Sequence, residues 1–145
     1  MDHSEQAGAF FQQGYNCAQA VLLAFAETYG LSPEQAAQTA AGFGGGMGRL
    51  GRTCGAVSGG LMVIGLAQGI AAPGDRAAKE AVYALARQFQ ARFAGRFGSL
   101  DCKDLLGADI STPEGYAQAR AEGRFALCTV FVQGAAAILT EILAG

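Results

Sequence analysis

The stretch from Thr53 to Gly74 constrains the fold more than any other part of the sequence, because it contains no charged residue. Glycines recur four residues apart in two places along it, Gly55 with Gly59 and Gly65 with Gly69, a spacing that allows helices to approach closely. A segment of this length and polarity has to be buried, either in a lipid bilayer or against other helices. Its glycines and polar residues dilute its apolar character, so we expect a central helix packed on all sides rather than a membrane span.

The rest of the chain also has the pattern of helices. Apolar residues recur at spacings of three and four, and sustained alternation of the strand kind is missing. Residues that favour a helix start recur along the chain: Ser4, Asn16, Ser32, Thr53, Asp75, Asp101 and Thr112. We therefore predict one all-α domain spanning residues 1–145, a bundle of five to seven helices with tight interfaces made by Ala and Gly.

Composition excludes some classes of function and limits the partners. The formal net charge is -2 and 15% of the residues are charged, so we expect no basic surface for nucleic acid. The first ten residues lack the basic and apolar regions of a secretory signal, which predicts a cytoplasmic protein with reduced thiols. With so few charges, we expect more apolar helix faces than one bundle can hide, which predicts a homodimer rather than association with a membrane.

The chemistry of the chain centres on four cysteines: Cys17, Cys54, Cys102 and Cys128. They stand far apart in sequence, so no local zinc or thioredoxin motif can use them, and they act together only if the fold brings them together. Three of them directly follow a residue that caps helices: Asn16, Thr53 and Asp101. A thiol in the first turn of a helix faces free backbone N–H groups, which favour the thiolate. We expect Cys54 to lie within disulfide reach of at least one other cysteine.

A glycine-rich loop precedes Cys54 and gives it the most distinctive surroundings. The loop runs from Gly42 to Gly51, and we assign an anion or substrate site to five residues in and beside it: Gly44, Gly45, Gly46, Arg49 and Arg52. The two arginines and the helix start predict that Cys54 is the most reactive thiol, with Cys17 as the cysteine that resolves a mixed disulfide. Desolvation in an apolar helix should disfavour ionisation of Cys128.

Three uses of these sulfurs are open from the residues alone. The first is thiol-disulfide exchange by a thiol-dependent oxidoreductase. The second is a metal centre or iron-sulfur cluster, for which Cys17, Cys54, Cys102 and Cys128 would be the ligands. The third is plain burial, in which the thiols are inert and the chain is a helical binding or assembly module for a redox or transport partner. The residues therefore leave the cofactor open: an iron-sulfur cluster, another metal centre, or none.

The order of these elements resembles a known family. Asn-Cys-Ala-Gln-Ala lies in an early helix, AAGFGGGMGRLGRTCGAVSGG follows, then a cysteine with Lys-Asp-Leu-Leu-Gly, and then a last cysteine in a C-terminal apolar helix. This order resembles the bacterial and archaeal family of redox-active proteins named for a CGAxxG motif and four shared cysteines, and the resemblance covers about Gly14 to Leu143. It implies a small cytoplasmic protein, or a domain attached to electron-transfer modules, in which all four cysteines have counterparts.

Overall fold

Eight α-helices make up most of the chain. The computed structural model describes residues 1–144, is 72% helical and has no β-strand among those residues. The helices are α1 His3–Gln12, α2 Cys17–Ala26, α3 Pro33–Ala40, α4 Gly55–Gln68, α5 Arg76–Phe97, α6 Cys102–Leu106, α7 Pro113–Ala121 and α8 Ala126–Leu143. The all-α prediction is confirmed, but the predicted count of five to seven is wrong. The segments after Asp101 and Thr112 form separate helices, because Gly107 (φ +66) ends the first and the Thr112 side chain caps the second by accepting from the Gly115 N–H at 3.0 Å.

Most helix starts follow the predicted capping residues, but Cys54 rather than the predicted Thr53 is the N-cap of α4. The Asn16 side chain accepts from the Gln19 backbone, and the Gln19 side chain accepts from the Asn16 backbone, both at 3.0 Å. Asp75 caps α5 in the same way through the Ala78 N–H, at 3.0 Å. The central apolar helix α4 is shorter than its uncharged stretch, because Gly69 takes a left-handed conformation (φ +66) and ends it.

Helix α2 lies at the centre of the core. Nine of its residues are buried, and it packs against α1, α3, α4 and α8. Its contact with α4 depends on missing side chains: a Cβ atom on Gly59 would lie 2.6 Å from the Ala18 carbonyl oxygen. A Cβ on Gly55 would lie 2.8 Å from the Ala18 nitrogen. The predicted interfaces of small residues are therefore present, and they bring the N-terminal halves of α2 and α4 together.

Helices α5 and α8 close the bundle on its other side. Helix α5 buries Phe89 and Phe93 and packs against α4 and α8. Helix α8 has the length and mean hydropathy (1.8 over 18 residues) of a membrane span, and 44% of those residues are buried inside the fold. Core helices of soluble proteins share these properties, so they do not assign α8 to a membrane.

The glycine-rich loop between α3 and α4 contains a turn of opposite hand to the helices. After a short 3₁₀ segment at Ala41–Phe43, the five residues from Gly45 to Arg49 all have φ between +65 and +70. The Gly48 N–H donates to the Gly44 carbonyl at 3.0 Å and so closes one left-handed turn. Because L-residues avoid this region, the glycines at 45, 46 and 48 make the turn possible.

An isolated antiparallel β-bridge joins the end of this loop to the segment before α6. It pairs Thr53 with Asp101. The Cys54 N–H donates to the Leu100 carbonyl at 2.8 Å, and the Cys102 N–H donates to the Arg52 carbonyl at 2.6 Å. Both hydrogen bonds use the backbone of a residue at a helix start, so the bridge fixes where α4 and α6 begin relative to each other.

Candidate functional site, a cavity lined by four cysteines

All four cysteines line one cavity of about 150 Å³. Their side chains are buried, with exposed fractions of 4% for Cys54, 7% for Cys102 and 8% for both Cys17 and Cys128. All four are free thiols. The other lining residues are Phe11, Asn16, Gly45, Gly46, Arg49, Gly55, Leu105, Leu106, Ile110, Tyr116, Phe125 and Phe131. The cavity is thus mostly apolar, and its reactive groups are sulfurs.

Each cysteine lies at the N-terminal end of a helix. Cys17 is the first residue of α2 and Cys102 the first residue of α6, whereas Cys54 is the N-cap of α4. Cys128 is the third residue of α8. The pattern seen in sequence for three cysteines therefore extends to the fourth, which was predicted in the first half of its helix without a capping signal.

The glycines of the Cys-Gly-Ala-x-x-Gly segment explain how Cys17 reaches this cavity. A Cβ on Gly55 would lie 3.0 Å from the Cys17 Cβ. Any larger side chain at Gly55 or Gly59 would push α2 away from α4 and carry Cys17 away from the N-terminus of α4. The motif therefore has a structural role, which is to hold two cysteine-bearing helix starts side by side.

The β-bridge places Cys54 and Cys102 on one face. Cys54 lies opposite Leu100 and Cys102 lies opposite Arg52, so the two cysteines are diagonal neighbours across an antiparallel pair. Such neighbours point to the same side with Cα atoms about 7–8 Å apart, which exceeds the usual range of a disulfide, about 4.4–6.8 Å. The bridge therefore places both thiols on the side that lines the cavity, and a disulfide between Cys54 and another cysteine stays a prediction.

Cys17 and Cys128 form the directly interacting pair of thiols. The interaction between the two thiols lowers the pKa of Cys128 and raises that of Cys17 well above its ordinary value. The backbone N–H of Cys128 also favours its thiolate, while burial opposes it. The two groups titrate as a unit, so the apparent pKa values of the pair belong to both thiols together.

The predicted order of thiol acidity is reversed in the structure. Burial raises the pKa of Cys54 to about 12, although the N–H groups of Ala56 and Val57 act in the opposite direction. Burial also raises the pKa of Cys102 to about 11. The prediction weighed the helix start and the arginines near Cys54, but both Arg49 and Arg52 are exposed to solvent. Desolvation therefore raises the pKa of Cys54, whereas the interaction with Cys17 lowers that of Cys128.

The five residues predicted to form an anion or substrate site do not all lie at one place in the structure. Gly45, Gly46 and Arg49 line the cysteine cavity, whereas Gly44 lines a neighbouring surface depression. Arg52 contributes its backbone to the β-bridge and does not line the cavity. Of the two arginines, Arg49 is therefore the one placed to meet a molecule that enters.

Tyr116 and Asn16 also line the cavity, and the sequence did not assign either of them to the site. The Arg49 guanidinium carbon lies 4.1 Å from the centre of the Tyr116 ring, a cation–π contact. Asn16 caps α2 and lines the same cavity. The capping signal of Asn16 was visible in sequence, but nothing local connects Tyr116 with Arg49, since only the fold brings them together.

A metal site is not formed by the arrangement described. Among residues 1–144, no three His, Cys, Asp or Glu side chains are grouped closely enough to hold a metal ion. The proposed ligand set of Cys17, Cys54, Cys102 and Cys128 lines one cavity without being such a group. Ligation of a metal or cluster by these residues stays a prediction.

Comparison with protein families matches this arrangement of cysteines. A family model described as "Putative redox-active protein (C_GCAxxG_C_C)" matches residues 15–142, which include all four cysteines. The chain belongs to this family. Where the family label spells Gly-Cys-Ala, the chain has Cys54-Gly55-Ala56, so the cysteine precedes the first glycine. No curated protein and no solved structure matches the chain.

Proposed function

We propose that this family member is a cytoplasmic thiol-disulfide oxidoreductase whose working pair is Cys17 and Cys128. One observation carries the proposal: these two thiols line one cavity with Cys54 and Cys102, and they shift each other's pKa in opposite directions. Exchange requires a thiolate that attacks and a second thiol close enough to resolve the mixed disulfide. Cys128 has the lowered pKa that suits the first task, and Cys17 is adjacent and protonated, which suits the second.

The reaction transfers two electrons to a substrate disulfide. The Cys128 thiolate attacks one substrate sulfur, the substrate S–S bond breaks, and the other substrate sulfur leaves as a thiolate. Cys17 then gives up its proton to the departing sulfur or to water, attacks the Cys128 sulfur and releases the second substrate thiol, which takes a proton from solvent. The chain is left with a Cys17–Cys128 disulfide. Two thiols, or one dithiol, restore the reduced state by the reverse steps.

Cys54 and Cys102 have a different part in this proposal. Burial keeps both thiols protonated near neutral pH, so they do not compete with Cys128 as nucleophiles. They keep the cavity wall uncharged next to the thiolate, and they remain reduced when Cys17 and Cys128 are oxidised. The proposal therefore predicts one disulfide per chain, not two.

Thiol counting on protein purified without oxygen tests this function. The reduced chain is treated with a neutral small disulfide, free thiols are alkylated, and peptides are mapped by mass spectrometry together with metal and sulfide analysis. We expect loss of two thiols and a peptide that links Cys17 to Cys128. The control Cys54→Ser should behave like the wild type, while Cys17→Ser and Cys128→Ser should each stop at a mixed disulfide or fail to react.

Two results would overturn the proposal. Stoichiometric iron with labile sulfide would assign the four cysteines to an iron-sulfur cluster. Four thiols that never react in the folded chain would instead support a non-enzymatic binding module for a redox or transport partner.

A further inference from the structure

An unpaired positive charge stands at the cysteine cavity. Arg49 lines the cavity and its side chain is exposed to solvent. The salt bridges among residues 1–144 are Arg92–Glu141 and Arg124–Glu122, so no carboxylate of the described chain neutralises Arg49. Its guanidinium instead lies over the Tyr116 ring at 4.1 Å. The contact orients the guanidinium while leaving its N–H donors free for a ligand.

The backbone holds Arg49 in this place at an energetic cost. Its φ is +68, a left-handed conformation that costs a residue with a Cβ about 1–2 kcal/mol. Glycine at position 49 would remove that cost, as it does at neighbouring positions of the same turn. No salt bridge of the described chain compensates for the strain, and the cation–π contact with Tyr116, worth about 0.5–1 kcal/mol at an exposed site, offsets only part of it. A role toward a ligand would account for arginine at a position whose backbone favours glycine.

The size of the cavity limits what can reach the thiols. The four cysteine side chains are at most 8% exposed and line a space of about 150 Å³. A disulfide anchored in a folded protein cannot enter such a space with its flanking backbone. A small disulfide without flanking backbone can enter, and an acidic group a few bonds from its S–S bond would then lie near Arg49.

We propose that the substrate is a low-molecular-weight anionic disulfide, or the corresponding thiol, whose carboxylate or other acidic group is bound by Arg49. This inference rests on the proposed exchange function and adds the class of substrate. The apolar lining contributed by Leu105, Leu106 and Ile110 strengthens an ion pair at its edge, because the local dielectric is lower than that of water. Arg52, from the same loop but outside the cavity, does not take part.

Three small disulfides of similar size test the proposal. Dithiodiglycolate is anionic, bis(2-hydroxyethyl) disulfide is neutral and cystamine is cationic. For each one, the rate constant for oxidation of the reduced full-length chain is measured by quenching with an alkylating reagent and counting adducts by mass spectrometry. The three disulfides differ in the intrinsic reactivity of their leaving groups. This difference cancels in the ratio of the variant's rate constant to that of the wild type for the same compound.

The informative variants change charge at one position. Arg49→Asn removes the charge and tolerates the left-handed backbone, Arg49→Lys keeps the charge, and Arg52→Asn is the control. We expect Arg49→Asn to lower the rate for dithiodiglycolate by about tenfold and to raise the rate for cystamine, with less than about twofold change for the neutral compound. Arg49→Lys should retain most of the anionic rate, and Arg52→Asn should match the wild type.

The outcomes separate this inference from the function on which it rests. If Arg49→Asn slows all three compounds equally, or if Arg52→Asn has the same effect as Arg49→Asn, the substrate class is wrong while the exchange function stands. If none of the three compounds oxidises the wild-type Cys17–Cys128 pair, the exchange function itself is wrong, and the inference falls with it. Circular dichroism of each variant confirms that the compared chains are folded.

Discussion

The thiols of Cys17 and Cys128, from helices α2 and α8, line the same cavity and shift each other's pKa in opposite directions. The contact joins two helix N-termini that are far apart in sequence. In the proposed function, Cys128 is the nucleophile of the pair and Cys17 stabilises its thiolate. The reactivity of each sulfur therefore depends on the presence of the other.

Alkylation at neutral pH should label Cys128 before the other three cysteines. Its pKa is lowered by the Cys17 donor, whereas burial raises the pKa of Cys54 and Cys102, and the thiolate is the reactive form. Cys17→Ala removes the donor and should slow labelling of Cys128, by about tenfold for each unit by which its pKa rises. Cys17→Ser keeps a hydroxyl donor and should slow it less. Rates come from peptide mapping with iodoacetamide, and faster labelling of Cys54 would contradict the assignment.

The free energy of unfolding should fall as pH rises above about 9. In the unfolded chain Cys54 ionises near its ordinary pKa of 9.0, but in the fold it holds its proton to about 12. Between these values the unfolded state releases a proton that the folded state retains, so a rise in pH favours unfolding. The slope approaches about 1.4 kcal/mol per pH unit for this thiol.

Guanidinium unfolding at pH 7, 9 and 10 measures this dependence. Cys54→Ser should show a shallower decline than the wild type, because its hydroxyl does not titrate in this range. Some decline should remain, since the pKa of Cys102 is also raised, to about 11. Equal slopes in the two proteins would mean that Cys54 is not held neutral by the fold.

Gly59→Ala should destabilise the chain, while Gly65→Ala should stabilise it. Both residues lie in α4, but a Cβ at position 59 would meet the Ala18 backbone at 2.6 Å and one at position 65 meets nothing within 4 Å. We expect a loss of about 1–3 kcal/mol for the first change and a gain of about 0.5–1 kcal/mol for the second. Chemical denaturation of both variants tests this, and equal effects would exclude the close α2–α4 contact.

Alanine substitutions at Gly46 and Gly48 should separate the cost of backbone strain from the cost of steric contact with neighbouring atoms. Gly46 and Gly48 have φ of +70 and +67, so alanine is strained at either position, by about 1–2 kcal/mol. A Cβ on Gly46 would in addition lie 2.7 Å from the Cys102 Cβ, whereas one on Gly48 has open space. Gly46→Ala should therefore lose about 1–3 kcal/mol more than Gly48→Ala. Thiol counting should also show that Gly46→Ala exposes Cys102, which Gly48→Ala leaves buried.

Self-association remains a prediction from composition, and exposed side chains on α8 provide a way to test it. Leu127 and Val130 are 41% and 49% exposed. We expect sedimentation velocity at micromolar concentration to show a homodimer, and Val130→Glu to shift it toward monomer if this face is the interface. A clean, soluble monomer of the wild type would contradict the prediction.

The positions of the helices could be predicted from the sequence better than the relative acidity of the four thiols. Capping at Asn16 and Asp75 involves residues within one turn, so the sequence around them specifies where each helix begins. The order of thiol acidity could not be found this way, because it depends on burial of Cys54 and on a contact between Cys17 and Cys128. The separate roles of Arg49 and Arg52 were hidden for the same reason. Both follow the same glycines, but Tyr116, which orients Arg49, comes from a helix much later in the chain.

The backbone strain at Met47 and Arg49, in the left-handed turn from Gly45 to Arg49, arises because both residues are L-amino acids. A left-handed turn is the mirror image of the right-handed turn that L-residues prefer. The conformation that is unfavourable for L-Met47 and L-Arg49 would be the relaxed one for their D-enantiomers. Chemical synthesis with D-residues at these two positions would therefore remove the strain while keeping the same side-chain groups, an option closed to the ribosome.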